Sequence, residues 1–255
     1  LYFLGQRKTQ GNFFYFPVAF LLKTPLSVIH LFVLLLVSMW LKKYKLHVLA
    51  KMTLYTFPIL YFLYALFTDM TLGQRYLVPV YPFLFVFLGG SINLFRQSVI
   101  KKIVVGGFLL WFVISSVLIY PDYLAYFNEL AGGPRGGIRY LGDSNLDWGQ
   151  DLKRLKPWLE EHHVQEIKLG YFGTALPQYY GIQFQWLPSV GFLNDQAGTK
   201  LIHEGDYLAV SATCLQGFYF ENMEQYNFLK NFEPIDHIGY TIYLYHITPD
   251  RLRDK

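Results

Sequence analysis

The chain has 255 residues, of which 53% are hydrophobic, 19% aromatic and only 16% charged. Roughly a quarter of the residues are charged in an ordinary soluble domain, so this composition excludes a disordered chain and a basic nucleic-acid-binding protein. The single cysteine, Cys214, excludes a disulfide within the chain and a cysteine-based zinc site. Because the chain begins Leu1-Tyr2-Phe3 without methionine, we interpret it as a fragment that begins inside a longer protein.

The charges are distributed unevenly along the chain. Residues 1–120 contain 11 Lys and Arg and one acid, Asp69, whereas residues 121–255 contain 11 Lys and Arg and 17 Asp and Glu. A basic, apolar front and an acidic, more polar back indicate two different regions. We therefore predict a transmembrane region over residues 1–120 and an extracytoplasmic α/β domain over residues 121–255.

Four apolar runs in the front region approach the ~20 residues that a helix needs to cross a bilayer. Backbone groups in lipid must bond within their own segment, so such runs are expected to be helices. The predicted fold is a membrane α-helical bundle of four transmembrane helices, followed by a small α/β domain. The predicted helices cover residues 26–41, 48–68, 76–95 and 103–120.

The positions of basic residues predict the orientation of these helices, because cytoplasmic loops are enriched in Lys and Arg. Two of the expected loops are basic, and they place the C-terminal domain outside the cytoplasm. The residues concerned are Lys42, Lys43 and Lys45 in one loop, and Arg96, Lys101 and Lys102 in the other.

The back region shows alternating or apolar runs that are typical of strands, separated by helical periodicity. Strands are expected within residues 166–172, 206–212, 232–238 and 241–247, and helices over 121–131, 148–162 and 218–229. Strands that alternate with helices favour a small α/β sheet.

Two cations, Lys23 and Arg75, lie at the expected outer ends of helices. Thr24 is expected to cap the helix that follows Lys23, and Pro79 and Pro82 are expected to kink the helix that follows Arg75. Cations beside helix N-termini suit an anionic group such as a lipid phosphate. The alternative is that both side chains extend to the headgroup level without binding a ligand.

The densest polar cluster covers residues 143–151. It fails as an EF-hand loop, because Trp148 and Arg154 occupy the positions where that loop has Gly and Glu. One interpretation is a hydrogen-bonded turn network. The other is a substrate rim, in which acceptors meet sugar hydroxyls and an indole meets a sugar ring. The candidate rim residues are Tyr76, Asp143, Asn145, Asp147, Trp148 and Gln150.

Several segments resemble the C-terminal half of bacterial family 39 glycosyltransferases, which are polytopic C-type enzymes similar to the protein O-mannosyltransferases and the lipid A aminoarabinose transferase. The resemblance covers nearly the whole chain, and the Ser-Asn-Leu-Asp-Trp-Gly-Gln run is its most specific part. The segments are Tyr15-Phe16-Pro17, Lys23-Thr24-Pro25, residues 73–82 (Gly-Gln-Arg-Tyr-Leu-Val-Pro-Val-Tyr-Pro), Tyr126-Phe127-Asn128-Glu129 to Gly133, and residues 144–150.

The resemblance implies a sugar donor linked to a lipid phosphate and transfer on the outer membrane face, usually with inversion. It also implies a carboxylate base in the first extracytoplasmic loop of the N-terminal half, which this chain lacks. No residue here matches that base by motif, and Asp69 is not assigned to it. Lys23 and Arg75 resemble the family's outer cations, which would stabilise the departing lipid phosphate.

We therefore expect the C-terminal portion of a multi-pass glycosyltransferase of the bacterial inner membrane, inactive as an isolated segment. Its expected partners are the lipid-linked donor, the membrane and the missing N-terminal half, and nucleic acid is not among them. No cofactor is assigned, and participation of a divalent metal stays open. The competing hypothesis is a non-enzymatic, membrane-anchored ligand-binding, sensor or transporter subunit. A third is a structural anchor without a ligand.

Overall fold

The computed structural model describes residues 1–8, 10–41, 48–68, 73–90, 98–191 and 202–248. The chain divides into two compact units: a helical unit, Gln10–Gly136, and a sheet unit, which combines Leu1–Thr9 with Gly137–Lys255. The boundary expected at residue 120 falls inside the helical unit, and the first residues belong with the C-terminal part. Four residues used for the orientation lie outside the described residues, namely Lys42, Lys43, Lys45 and Arg96, and so does Asp69.

The described residues form eight α-helices and nine strands, joined by short 3-10 turns. The helices are α1 Tyr15–Lys23, α2 Leu26–Trp40, α3 Val48–Leu66, α4 Tyr81–Gly89, α5 Val99–Leu118, α6 Gly133–Gly136, α7 Leu152–Glu161 and α8 Ala212–Gln216. The strands are β1 Tyr2–Phe3, β2 Gln6–Arg7, β3 Ile167–Gly170, β4 Phe172–Gly173, β5 Phe184–Trp186, β6 Val190–Gly191, β7 Tyr207–Ser211, β8 Asp236–Ile238 and β9 Ile242–His246.

Prolines interrupt the helical unit at two places. Thr24 has an extended backbone, with φ −89° and ψ 133°, because the residue before a proline is disfavoured in the helical region. The chain therefore turns at Thr24 and Pro25, and α1 and α2 are bent by 109°. Thr24 is not the N-cap of α2, since Pro25 holds that position.

The second break divides the segment where the sequence predicts a single helix over 76–95. Residues Gln74–Val80 form a 3-10 helix that contains Pro79, and α4 begins at Tyr81 with Pro82 in its first turn. Neither proline has an N–H to continue an α-helical ladder. At 1.5 Å per residue a nine-residue helix such as α4 is about 13 Å long, well short of the ~30 Å hydrocarbon core.

The expectation of four transmembrane helices is wrong. Within the described residues, one helix, α5, is long and apolar enough to cross a membrane, with 20 residues and a mean hydropathy of 1.8. The α1–α2 pair passes the same test only if it is counted as one bent span. Counting apolar residues overestimates helix length where prolines interrupt the backbone. The described part of the chain thus has one candidate membrane-spanning helix, which by itself is weak evidence for a membrane location.

The helical unit has a small apolar core on one side of α2. Val28, Leu31 and Leu35 recur at helical spacing and pack against Leu84 and Phe87 of α4. In contrast, only 6% of the apolar window of α5 is buried. A long apolar helix that is hardly covered by its own chain is suited to a nonpolar solvent.

The sheet unit is built on a five-stranded mixed sheet with the order β5-β3-β7-β9-β8. Strands β5, β3 and β7 are parallel, whereas β9 pairs antiparallel with both β7 and β8. Strand β7 is central, and its alternating side chains serve two cores. Ala209 faces a cluster with Leu155 of α7, and Leu208 and Val210 belong to a cluster with Tyr226 on the opposite face.

Three features differ from the predictions made from the sequence. The helix expected over 218–229 is absent: residues 218–226 form turns and bends, and the 3-10 turn Asn227–Asn231 follows. The first residues form a β1–β2 hairpin, and the Leu4 N–H donates to Tyr140 O at 2.8 Å. The helix expected over 121–131, in the helical unit, is instead a pair of 3-10 turns, Tyr123–Ala125 and Glu129–Ala131. Its apolar spacing resembles a helix, but its polar groups are used in other contacts described below.

Candidate functional site

The α1–α2 bend brings together segments that are far apart in the sequence. Thr24 is fully buried, and its Oγ1 lies 2.6 Å from the Tyr81 hydroxyl at the start of α4. The same hydroxyl accepts a hydrogen bond from Gln74 Nε2 in the 3-10 helix. The Lys23-Thr24-Pro25 and Gly73-Gln74-Arg75-Tyr76 segments are therefore held side by side.

Asn128 adds a third segment to this place. Its side chain is buried, and Nδ2 donates to Leu21 O at 2.6 Å and to Thr24 O at 2.8 Å. Its backbone N–H donates to Leu22 O at 2.9 Å. The last carbonyls of a helix lack partners within that helix, so Asn128 satisfies the end of α1. We call Lys23, Thr24, Gln74, Tyr81 and Asn128 the joint cluster.

The two candidate phosphate ligands lie on the elements that meet at the joint cluster. Lys23 Nζ donates to Leu124 O at 2.7 Å and stands 4.4 Å from the centre of the Phe127 ring. Arg75 is exposed, with its guanidinium carbon 5.6 Å from the centre of the Tyr76 ring. Tyr76 in turn approaches Phe16 of α1, with ring centres 6.4 Å apart.

An apolar cavity of about 500 Å³ lies in the helical unit beside these elements. Its lining includes Phe20, which precedes Lys23 on α1, and Val80, which precedes Tyr81 of the joint cluster. The rest of the lining consists of apolar and aromatic side chains from α2, α3 and α4. This cavity was not predicted from the sequence, because its lining comes from five elements: α1, α2, α3, the 3-10 helix Gln74–Val80 and α4.

In the 143–150 loop of the sheet unit, several candidate rim residues form hydrogen bonds within the fold. Asn145 is fully buried and donates from Nδ2 to Gly142 O at 2.9 Å. Asp147 is also fully buried, and its carboxylate accepts from the N–H of Gly149 at 3.0 Å and from the N–H of Thr213 at 3.3 Å. The structure therefore places these two side chains inside the fold.

Burial raises the pKa of Asp147 to about 7, and the nearby Asp151 carboxylate contributes to the same shift. The backbone N–H groups of Gly149 and Thr213 act in the opposite direction, because they favour the charged form. The result is a buried carboxyl group that exchanges its proton near neutral pH.

The structure explains why residue 149, in the Trp-Gly-Gln run, is a glycine. Its φ of +73° lies in the left-handed region, and a Cβ there would meet the Tyr171 hydroxyl at 2.1 Å. That hydroxyl is buried and donates to Gly149 O at 3.0 Å. Only a residue without a side chain fits between this turn and Tyr171.

The remaining rim candidates of this loop reach the surface. Trp148 is 54% exposed, and Gln150 and Asp143 are partly exposed. Gln150 Oε1 accepts from the Trp148 N–H at 2.7 Å, and Asp143 accepts from the Tyr219 hydroxyl at 2.9 Å. Of the loop's rim candidates, Trp148 offers the largest exposed face for a sugar ring.

Asp151 was not among the candidate residues, and it is the most heavily bonded acid near this loop. Its Oδ2 accepts from the N–H groups of Tyr240 and Thr241 and from Thr241 Oγ1, at 3.1, 3.2 and 2.9 Å. Arg154 donates to Oδ1 at 3.1 Å. Asp151 thereby fixes the turn between β8 and β9, a role that its neighbours in sequence do not reveal.

No group of three or more His, Cys, Asp or Glu side chains suitable for a metal ion is found in the part of the chain that the structure describes. Comparison of the chain with protein-family models, with curated proteins and with solved structures finds no match. The resemblance to family 39 glycosyltransferases therefore stays a prediction from the motif residues given above.

Proposed function

We propose that this chain is part of a membrane glycosyltransferase that takes a sugar from a polyprenyl-phosphate carrier. The observation that supports this most is the joint cluster, where two cation-bearing segments border an apolar cavity. A polyprenyl phosphate has the same arrangement, with one anionic group attached to a long apolar chain.

In the proposed binding mode the isoprenoid chain occupies the apolar cavity, and the phosphate lies toward Lys23 and Arg75. Phe20 and Val80 connect the two parts, because they line the cavity next to Lys23 and Tyr81. The N-terminus of α2, at Leu26, adds a partial positive charge at the same bend.

The cations would act on the leaving group. When an acceptor oxygen attacks the anomeric carbon, the bond between that carbon and the phosphate oxygen breaks, and the electron pair goes to the phosphate. Positive groups placed where this charge develops lower the barrier. The proposal assigns this leaving-group role to Lys23 and Arg75.

We further propose that α5 crosses the bacterial inner membrane with Lys101 and Lys102 on the cytoplasmic side. Both residues are in the first turn of α5, and basic residues at a helix end favour the cytoplasm. The chain beyond Leu118 would then be extracytoplasmic, where lipid-linked donors of this kind are used.

Binding of farnesyl phosphate and farnesol to the detergent-solubilised chain tests the phosphate site. We expect Lys23→Gln and Arg75→Gln each to weaken farnesyl phosphate by about tenfold, the value of one charge-assisted hydrogen bond, and to leave farnesol unchanged. Lys102→Gln, which removes an exposed cation of α5, is the matched control. If the variants and the control bind farnesyl phosphate equally, the phosphate assignment is wrong.

The apolar cavity has its own test. Ile59 lines the cavity and is 54% exposed, so Ile59→Trp places a larger ring in it without disturbing a buried core position. We expect both ligands to bind more weakly, whereas Ile103→Trp on the exposed surface of α5 changes neither. Lipid binding alone does not separate a transferase from a non-enzymatic ligand-binding subunit, because either can prefer the phosphate-bearing lipid.

A further inference from the structure

A second cavity, of about 650 Å³, lies within the sheet unit. Three cations line it: Arg7 of the N-terminal hairpin, Arg139, and Lys230 of the 3-10 turn Asn227–Asn231. No Asp or Glu is found in its lining within the described ranges. The cations come from three separate parts of the chain, and only folding brings them to one cleft.

Arg7 is held rigidly and keeps its charge available. Its Nε donates to Gln216 O, and its Nη2 donates to Asn227 Oδ1 at 3.1 Å. Both acceptors are neutral, and among the residues with described positions no carboxylate lies within 4.0 Å of any of the three cations. Two hydrogen bonds fix the guanidinium, and its positive charge is not cancelled by an ion pair.

Aromatic rings occupy the same cleft. Tyr2, Phe232 and Tyr243 line it together with the cations, and all three rings are partly exposed. Aromatic faces pack against the apolar faces of sugar rings, and tyrosine hydroxyls bond to sugar hydroxyls. A cavity between ~300 and ~1,000 Å³ is the usual size for a small-molecule site.

We propose that this cleft binds a saccharide that carries a phosphate or a carboxylate group. The cations hold the anionic group, with Arg7 preorganised for a two-point contact, and the aromatic rings hold the sugar. This site is separate from the joint cluster, and the inference does not depend on the transferase proposal. A neutral sugar contacts only the aromatic rings of the cleft, and inorganic phosphate binds only its cations.

Calorimetric titration of the detergent-solubilised chain with four probes tests this inference: glucose 6-phosphate, glucuronate, glucose and inorganic phosphate. We expect at least one anionic sugar to bind about tenfold or more tightly than both glucose and inorganic phosphate. The tighter of glucose 6-phosphate and glucuronate identifies the preferred anion. Absence of binding, equal affinity for glucose, or equal affinity for inorganic phosphate would each overturn the proposal.

Variants identify the site. Arg139 and Lys230 are exposed, so Arg139→Gln and Lys230→Gln should fold normally and weaken the anionic sugar while leaving glucose unchanged. Tyr243→Leu should weaken glucose 6-phosphate and glucose by the same factor. Lys153→Gln removes an exposed cation of α7 that does not line the cleft, and it serves as the charge-matched control. Variants that behave like this control would place the binding elsewhere and refute the inference.

Discussion

The joint cluster and the 143–150 loop both contain segments that carry the family resemblance, yet they use their residues in opposite ways. In the joint cluster, neutral side chains such as Thr24 and Asn128 bond to hydroxyl and backbone groups, Lys23 donates to the backbone oxygen of Leu124, and the nearby Arg75 is exposed. In the loop, the carboxyl group of Asp147 is buried and itself accepts the hydrogen bonds that hold the backbone in place.

This difference shows that the most specific segment of a sequence need not be the segment that contacts a ligand. The Ser-Asn-Leu-Asp-Trp-Gly-Gln run is distinctive because a buried carboxylate, a left-handed glycine and a tyrosine hydroxyl must fit together. Its contribution to binding is narrower, since Trp148 is its most exposed side chain.

The largest expected effect comes from removing Asp151. This change tests whether the backbone around the 143–150 loop is held by buried carboxylates. Asp151→Ala leaves the N–H groups of Tyr240 and Thr241 without their acceptor, so we expect a loss of about 3 kcal/mol in the sheet unit. Hydrogen exchange of the β7 and β9 amides measures it. Glu160→Ala, which removes an exposed acid of α7, should cost less than about 1 kcal/mol; an equal cost in both variants would contradict this role.

The second effect concerns Gly149. Gly149→Ala combines a positive φ with a contact against Tyr171, so we expect about 2–3 kcal/mol of destabilisation, measured by the same exchange experiment. Gly205 is the matched control, because its φ is +88° but a Cβ there meets nothing within 4 Å. Gly205→Ala should therefore cost only the backbone strain, about 1 kcal/mol. Similar losses at the two positions would mean that Tyr171 moves aside.

The smallest effect, taken over one pH unit, is a pH dependence that Asp147 produces. Its folded-state pKa of about 7 is above the ordinary value of 3.8 for an aspartate, so the folded state binds more protons between these pH values. The stability from this group is fully present below the lower pKa and is lost as the pH rises to about 7, by at most about 1.4 kcal/mol per pH unit. Asp147→Asn should remove this component from the measured free energy of unfolding. An unchanged pH profile would show that the group titrates normally.

The sequence was informative about the sheet unit where the pattern is local. Strands β3, β7, β8 and β9 each lie within an expected window, because alternation and turn residues are read over a few positions. Their order and the mixed pairing depend on contacts between distant segments. The bond between Asp151 and Thr241, 90 positions apart, is of this kind.

The helical unit was predicted less well, for a physical reason. Hydropathy identifies apolar segments, but the length of a helix also depends on backbone hydrogen bonds, which end at Pro25 and are interrupted at Pro79. Lys23 and Arg75 were recognised as candidate ligands from their charge. Tyr81 and Asn128, which hold their segments together, have no comparable signal in the sequence.

The N-terminal hairpin has a consequence for topology. Because Leu4 is hydrogen-bonded to Tyr140 and Phe3 is bridged to Leu141, both ends of the intervening 130 or so residues must be on the same side of any bilayer. A polypeptide that leaves one side and returns to it passes through an even number of times. If α5 traverses the lipid, the chain must therefore pass through it a second time, and among the described residues the α1–α2 pair passes the length and hydropathy test if the two bent helices are counted as one span.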